Sequence, residues 1–218
     1  MKNIIFIAPP AAGKGTQAKL VSEEYNIPHI STGDLLRDEA AKDTELGRKI
    51  KSDMESGNLV SDDIITTLLR NRITLSDCKN GYILDGYPRN ITQAKLYNEL
   101  LNELNYDNGV VIFFNIDKER ALKRTLSRII CPNCGSSYNL LVSELKPKRD
   151  NICDRCGHEL KTRTDDTEEV FIHRFDNYIS STLELINYYK GLGILHEIQV
   201  LDKSANSIFE EVKKVIHD

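Results

Sequence analysis

Four of the five cysteines form two pairs whose spacing is typical of a metal site. Cys131 and Cys134 make one pair, Cys153 and Cys156 the other, with 18 residues between the pairs, and Cys78 stands alone. Two residues between thiolates let one tight turn present both sulfurs to a single ion. Four thiolates with no open position indicate a structural tetrahedral site, for which zinc is the usual occupant. Two redox dithiols are the alternative, which the repeated spacing disfavours.

A loop of small residues near the N-terminus has the composition of a phosphate cradle. Residues 8–13 lead into Lys14, Gly15 and Thr16 and then into a segment with helical spacing. Backbone N–H groups at such a helix start point at phosphate oxygens, and the helix dipole favours negative charge there. Lys14 would reach the outer phosphates, and the Thr16 hydroxyl would face magnesium. The strict phosphate-loop pattern has glycine at the position of Ala8, and it has serine or threonine directly after the lysine, where this chain has Gly15. A turn of small residues that only caps a helix is therefore the alternative interpretation.

An apolar strand that ends in an aspartate supports the phosphate interpretation. Residues 82–84 are apolar and Asp85 follows them, before Gly86. A carboxylate at a strand end beside a phosphate loop is what a magnesium ligand acting through water requires. Many core strands end in Asp, so the signal depends on its pairing with the loop.

Alternating apolar runs and helical segments must position these residues. Strands are predicted at 3–8, 27–31, 82–85, 110–116 and 194–200, and helices at 16–24, 62–72, 93–104, 118–128, 170–189 and 207–216. Strands that are apolar on both faces and alternate with helices indicate a parallel sheet covered on both sides. Residues 131–158 break this pattern, because they contain turn residues and too few large apolar side chains for a core.

Composition excludes several classes of protein. The 218 residues are 40% hydrophobic and 28% charged, which is ordinary globular usage. Lys and Arg total 29 against 33 for Asp and Glu, giving a net charge of −4, which disfavours a general nucleic-acid binder. No apolar run approaches the ~18 residues of a membrane span. The apolar stretch at 4–12 is interpreted as a buried strand entering a loop rather than a signal peptide, and cysteine pairs of this type favour the cytoplasm.

From residue 85 to 89 the chain resembles the nucleoside monophosphate kinases, and specifically the adenylate kinases in their long bacterial form. Four further segments agree, in the same order along the chain: 13–17, 31–37, 124–128, and 163–166 followed by Arg174. The resemblance covers nearly the whole chain. It implies a P-loop core with a five-stranded parallel sheet flanked by helices (1–30, 61–127 and 166–218), a small helical monophosphate-binding insert (31–60) and a zinc-stapled lid (128–165). A monomer is expected.

The resemblance also implies the site residues. Catalytic roles fall on Lys14, Asp85, Arg89, Arg128, Arg163 and Arg174. The donor ATP would contact Ala11, Ala12, Gly13, Gly15, Thr16, Arg124, Ser137, Tyr138 and Lys203. The acceptor AMP would contact Thr32, Arg37, Asn58, Leu59, Val60, Gly86, Tyr87, Pro88 and Gln93.

The chemistry of such a reaction fits these residue types. The acceptor phosphate is already an anion, so no general base is needed, and catalysis consists of positioning and charge neutralisation by arginines. Magnesium would accompany ATP, and closure of the lid would exclude water. Gln93 has both donors and an acceptor on one amide, so it can pair with the N1 and 6-amino edge of adenine. Histidines, including His29 near the second strand, are expected to have surface or packing roles.

Two departures from the resemblance leave alternatives open. Glycine is usual in the family at Ala8 and Ala11, and a positive φ at Ala11 would cost an L-residue about 1–2 kcal/mol. The alternatives are a nucleotide-binding relative with an impaired phosphate loop, a kinase for another monophosphate, and a zinc-ribbon nucleic-acid binder. The acidic balance and the scattered arginines disfavour the last of these.

Overall fold

The structure of the chain is a computed structural model that describes residues 3–55, 60–163, 166–200 and 203–217. Among these residues no helix combines the length and the apolar character needed to cross a membrane. The described strands are β1 Ile4–Ile7, β2 His29–Ser31, β3 Ile83–Asp85, β4 Val110–Asn115, β5 Arg128–Ile130, β6 Ser137–Asn139, β7 Lys161–Thr162 and β8 Leu195–Gln199. The described α-helices are α1 Lys14–Tyr25, α2 Thr32–Ala40, α3 Glu45–Glu55, α4 Asp62–Ile73, α5 Ile91–Leu104, α6 Lys118–Leu126, α7 Glu168–Gly191 and α8 Ala205–His217.

Five strands form one parallel sheet in the order β2-β3-β1-β4-β8. Strand β1 lies at its centre, with Phe6 opposite Asp85 on β3 and opposite Ile112 on β4. The carboxyl ends of β1, β2 and β3 therefore meet at one edge of the sheet, where the phosphate loop begins. The predicted α/β class and all five predicted strands are confirmed.

Each face of the sheet carries its own hydrophobic core. Side chains alternate along β1, so Ile4 and Phe6 pack on one face while Ile5 and Ile7 pack on the other. Helices α1 and α8 cover the first face, and α4 and α5 cover the second. The 24-residue helix α7 contributes to both cores, with its first turns on one face and its last turns on the other. Burial on both faces explains why these strands are continuous apolar runs.

A second, antiparallel sheet has the order β6-β5-β7. Strands β5 and β7 flank the segment 131–158 that breaks the sequence pattern, and β6 lies inside it. Helix α6 was predicted to reach residue 128, but it ends at Leu126, and Arg128 begins β5. Ser127 ends the helix, and its N–H donates to the carbonyl of Lys123. The prediction of a longer helix was wrong because Arg128 pairs with Asn139 across the small sheet, a contact that helical spacing could not reveal.

Candidate active site

The loop between β1 and α1 has the backbone conformation of an anion cradle. Ala11 has φ 61° and Gly13 has φ 88°, so both lie in the left-handed region. Helix α1 begins at Lys14 and has no acidic residue in its first turn. The first N–H groups of a helix have no acceptor within the helix, and here they lie beside a lysine at the carboxyl edge of the sheet. The conditional cost considered for Ala11 in the sequence therefore applies, because this L-residue does adopt a positive φ.

Lys14 and Asp85 form an ion pair where β1 and β3 end. Lys14 Nζ lies 2.8 Å from Asp85 Oδ1, and the two side chains are 24% and 17% exposed. Burial alone would raise the pKa of Asp85. The hydrogen bond from His29 and the charge of Lys14 outweigh that effect and hold the pKa well below its ordinary value. Asp85 is therefore a carboxylate at neutral pH, as a magnesium ligand must be.

His29 is a site residue that the sequence analysis placed among packing residues. Its Nε2 lies 3.0 Å from Asp85 Oδ2. Strand β2 is hydrogen-bonded beside β3, with His29 opposite Ile83 and Ser31 opposite Asp85. The strand order that brings β2 next to β3 carries this contact, and no local sequence motif marks it.

Arg89, one of the predicted catalytic arginines, interacts electrostatically with Asp85 and with Arg174. The Nε of Arg89 donates to the Gly86 carbonyl at 2.8 Å. Burial and the positive charge of Arg174 both lower the pKa of Arg89, and the charge of Asp85 partly offsets them. Arg89 and Arg174 thus raise the local positive potential that a transferring phosphoryl group requires.

Arg128 is held by the carboxylate of Asp166, for which the sequence predicts no role of its own. Its Nε donates to Asp166 Oδ2 at 2.8 Å, and its Nη2 donates to Asp166 Oδ1. The Asp166 side chain is completely buried, which makes this bidentate pair a fixed joint between β5 and the residues before α7. Arg163 lies three residues earlier, and its carbonyl accepts from the N–H of Asp166 at 3.1 Å.

Of the predicted acceptor residues, Thr32 contacts Gly86 directly. The Thr32 hydroxyl donates to the Gly86 carbonyl at 3.0 Å. Gly86 has φ 81°, and a Cβ there would lie 3.1 Å from the Thr32 hydroxyl and 3.4 Å from Arg89. Arg37 lies one turn into α2 and pairs with Asp34. Val60 is buried, whereas Asn58 and Leu59 lie outside the described residues.

Gln93, the residue expected to face adenine, is oriented by two protein groups. Its Oε1 accepts from the Arg89 N–H at 2.7 Å, and its Nε2 donates to Asp62 Oδ1 at 2.7 Å. A carboxylate cannot donate and a backbone N–H cannot accept, so these partners settle which end of the amide is which. One N–H and one lone pair remain for a ligand. Tyr87 is buried, and its hydroxyl donates to the backbone carbonyl of Gln93 at 3.1 Å. Pro88 follows Tyr87 through a cis peptide bond.

The residues expected around the donor base lie on three separate elements. Burial lowers the pKa of Arg124, on α6, whose carbonyl accepts from the Asn139 side chain at 2.8 Å. Lys203, just before α8, forms an ion pair with Glu211 at 2.6 Å. Ser137 on β6 is exposed. A role for these residues in binding the donor base stays a prediction.

The four paired cysteines meet at one point of the small sheet. Their sulfurs all lie within 4.8 Å of one another, at 3.4 Å for Cys131 and Cys156 and 3.5 Å for Cys134 and Cys153. A metal with bonds of about 2.3 Å to four thiolates needs sulfurs about 3.8 Å apart, whereas a disulfide needs ~2.05 Å. The donor set therefore fits one tetrahedral ion.

Backbone turns and one tyrosine shape this cysteine cluster. Gly135 directly follows the first cysteine pair with φ 69°, and Gly157 directly follows the second with φ 74°. Their N–H groups donate to the carbonyls of Cys131 and Cys153. The Tyr138 hydroxyl lies 3.4 Å from Cys153 Sγ. Its hydrogen bond, together with those from the backbone N–H groups of Cys156 and Arg155, lowers the pKa of that thiol to about 5. Tyr138 was expected to contact the donor nucleotide; its hydroxyl is used at the cysteine cluster.

Comparisons with known proteins agree with this geometry. The family model described as adenylate kinase matches residues 6–194. The chain is 44% identical to an adenylate kinase of Archaeoglobus fulgidus over 214 residues, covering 98% of this chain and 97% of that protein. It is 44% identical to an adenylate kinase of Thermosipho africanus (98% and 99% covered) and 40% identical to one of Clostridium tetani (98% and 98% covered). On its motifs, its fold and these relatives, the chain belongs to the adenylate kinase family.

Proposed function

We infer that the protein transfers the terminal phosphoryl group of ATP to AMP and so produces two molecules of ADP. The observation that carries this inference is the ion pair of Lys14 with Asp85 at the end of the phosphate loop. Arg89 interacts electrostatically with the same carboxylate. A cation on a phosphate loop, a fixed carboxylate and converging guanidinium groups are the parts that phosphoryl transfer needs.

The phosphate loop and Lys14 bind the donor. N–H groups at the start of α1 donate to oxygens of the β- and γ-phosphates, and Lys14 Nζ contacts these oxygens as a point charge. Thr16 and Asp85 offer the hydroxyl and carboxylate oxygens that magnesium prefers, Asp85 through a water molecule. Magnesium, when bound with ATP, neutralises charge on the β- and γ-phosphates.

The arginines position the acceptor and neutralise the transferring group. Arg37 and Arg89 bind the AMP phosphate, and Arg128, Arg163 and Arg174 neutralise the phosphoryl group in transfer. An acceptor oxygen attacks the γ-phosphorus, the bond from that phosphorus to the β–γ bridging oxygen breaks, and the leaving ADP keeps the electron pair. The attacking oxygen carries no proton, so no general base is needed.

Gln93 selects the acceptor base. Its remaining N–H donates to adenine N1, and its remaining lone pair accepts from the 6-amino group. The contacts with Arg89 and Asp62 that fix the amide orientation support this assignment. A site built to match a base edge rejects bases with the opposite donor pattern, because its buried polar groups are then unpaired.

We propose that the cysteine cluster holds zinc and that residues 128–165 act as a lid, with 31–60 as the monophosphate-binding insert. The small antiparallel sheet supports the bounds of the lid, and the helix pair α2 and α3 supports the bounds of the insert. The metal gives the lid its shape without taking part in the chemistry. We further propose a cytoplasmic location, because four thiolates that hold a metal must stay reduced. A monomer is proposed because it suits the family that the chain resembles.

A coupled assay of purified protein with ATP, magnesium and each of AMP, UMP, CMP and GMP tests the function. We expect AMP to give the highest kcat/KM. Lys14→Met should lower kcat about 10²–10³-fold, as loss of one transition-state cation does elsewhere. Lys19→Met is the matched control, since Lys19 lies on the same helix with its side chain 59% exposed.

Three outcomes would contradict this account. Faster turnover of UMP or CMP than of AMP would identify a kinase for another monophosphate. ATP binding without turnover would identify a nucleotide-binding relative. Salt-sensitive nucleic-acid binding without turnover would favour the zinc-ribbon alternative.

A further inference from the structure

The carboxylate of Asp85 has a different partner on each oxygen. Oδ1 lies 2.8 Å from Lys14 Nζ, and Oδ2 lies 3.0 Å from His29 Nε2. The two partners come from neighbouring elements, Lys14 from the first turn of α1 and His29 from the start of β2. The carboxylate plane is therefore fixed from two sides, and with it the direction of the remaining lone pairs.

The contact also defines the protonation of the imidazole. An ionised carboxylate only accepts hydrogen bonds, so the nitrogen that faces it must carry a proton. A neutral His29 is then the Nε2–H tautomer, with Nδ1 as an acceptor. A lysine contact through Oδ1 alone would let the carboxylate swing about its Cβ–Cγ bond, and the imidazole removes that freedom.

We propose that His29 is a positioning residue for phosphoryl transfer, which fixes the orientation of Asp85 toward the magnesium that accompanies ATP. This proposal rests on the proposed function, since it assigns a role within that same site. His29 touches neither nucleotide in this scheme; it acts through Asp85. Groups that orient a metal-binding carboxylate typically change metal affinity or activity about 10–100-fold when removed. Because Asp85 acts through water, we expect an effect near tenfold.

Three variants separate positioning from a structural contribution of the side chain. His29→Leu removes the donor while keeping a similar volume. His29→Gln places an amide N–H at a similar reach and should restore function. His196→Leu is the matched control, because His196 lies on the opposite edge strand β8 with intermediate exposure and outside the site.

The first measurement is the magnesium concentration that gives half-maximal activity at fixed ATP and AMP. His29→Leu should raise it about tenfold, and His29→Gln and His196→Leu should leave it near the wild-type value. The second is calorimetric binding of a dinucleotide in which two adenosines are joined by five phosphates, with and without magnesium. His29→Leu should weaken binding with magnesium and leave magnesium-free binding unchanged.

The third measurement is nitrogen NMR of the His29 ring in the wild-type protein. The ring should carry a proton on Nε2, and the Nε2 signal should shift in Asp85→Asn. A proton on Nδ1 alone, a wild-type magnesium dependence in His29→Leu, or equal losses of binding with and without magnesium would each overturn the proposal. A wild-type protein that binds the dinucleotide without any turnover would overturn the proposed function instead, and the NMR and binding results would still decide the role of His29.

Discussion

The parallel core and the small lid sheet achieve stability in different ways. In the core, β4 alone contributes five buried residues, and Phe6 packs edge-on against Phe114 with ring centroids 5.0 Å apart. In the lid, the buried cluster consists of Ile129, Leu160 and two cysteines. Such a small apolar cluster cannot offset the conformational entropy of about 35 ordered residues.

This difference between the core and the small sheet indicates that two regions of one chain order their backbones in independent ways. The core is ordered by burial on both faces of a sheet, which leaves its loops free to form the phosphate site. In the proposed lid, residues 128–165, four sulfur ligands of one metal ion would order the backbone instead. Four perturbations test this division.

Removing the lid metal should have the largest effect. Chelation, or Cys153→Ser, should unfold the lid and abolish most activity, because metal binding in thiolate sites contributes roughly 10–16 kcal/mol in isolated peptides. Far-ultraviolet circular dichroism should retain most of the helical signal, since the long helices belong to the core. Limited proteolysis should cut within 131–158.

Metal analysis supplies the control for this experiment. Wild-type protein and Cys78→Ser should each contain one equivalent of zinc, because Cys78 lies outside the cluster and is buried against Arg72. Well under one equivalent in carefully prepared wild-type protein would contradict the metal-ordered lid.

A cavity in the core should have the next largest effect and the opposite pattern. Phe114 is fully buried, so Phe114→Ala should lower the free energy of unfolding by about 3–5 kcal/mol. Zinc content should stay at one equivalent. The control Leu183→Ala, at a 61% exposed position on α7, should change stability by less than about 0.5 kcal/mol. Loss of zinc in Phe114→Ala would show that core and lid are not independent.

The charge of Asp85 should give the core an acid-sensitive contribution to stability. Its pKa is lowered on folding, so its contribution is complete above the unfolded value of about 3.9 and is lost as the pH falls through the folded value. Denaturant unfolding of wild type and Asp85→Asn should differ by about 1–3 kcal/mol at pH 7, the usual strength of hydrogen bonds to a charged group. That difference should shrink below pH ~4. A difference that grows on acidification would contradict the ion-pair geometry.

Relief of backbone strain at the phosphate loop should have the smallest effect. Ala11→Gly removes the cost of φ 61° but adds chain entropy to the unfolded state, so a net gain of about 0.5–1 kcal/mol is expected. Ala12→Gly, at the next position without a positive φ, should be destabilising instead. Equal effects of the two substitutions on thermal unfolding would show that the left-handed conformation at Ala11 carries no strain.

Local patterns in the sequence predicted most of the fold. The five core strands and the cysteine cluster follow from runs and spacings within a few residues of one another. The phosphate loop, Asp85 and the family arginines follow from motifs. The sequence raised a positive φ at Ala11 only as a condition, and the structure supplies the angle.

Contacts that depend on strand order or on buried partners could not be predicted in this way. His29 and Asp85 are 56 residues apart along the chain, and they meet only because β2 lies beside β3. Asp62 belongs to no motif, and Asp166 belongs to the segment 163–166, which does not reveal its partner. Only the tertiary structure buries Asp166 under Arg128 and places Asp62 against Gln93. The end of α6 at Leu126 likewise depends on the pairing of Arg128 in the small sheet.

A crystal structure with the two-headed dinucleotide bound tests the central claim most directly. The account predicts that its phosphates lie on the loop before α1, with Lys14 on the donor side and Arg37, Arg89, Arg128, Arg163 and Arg174 in contact with the phosphate chain. The result that would contradict it is a bound dinucleotide from which these arginines point away.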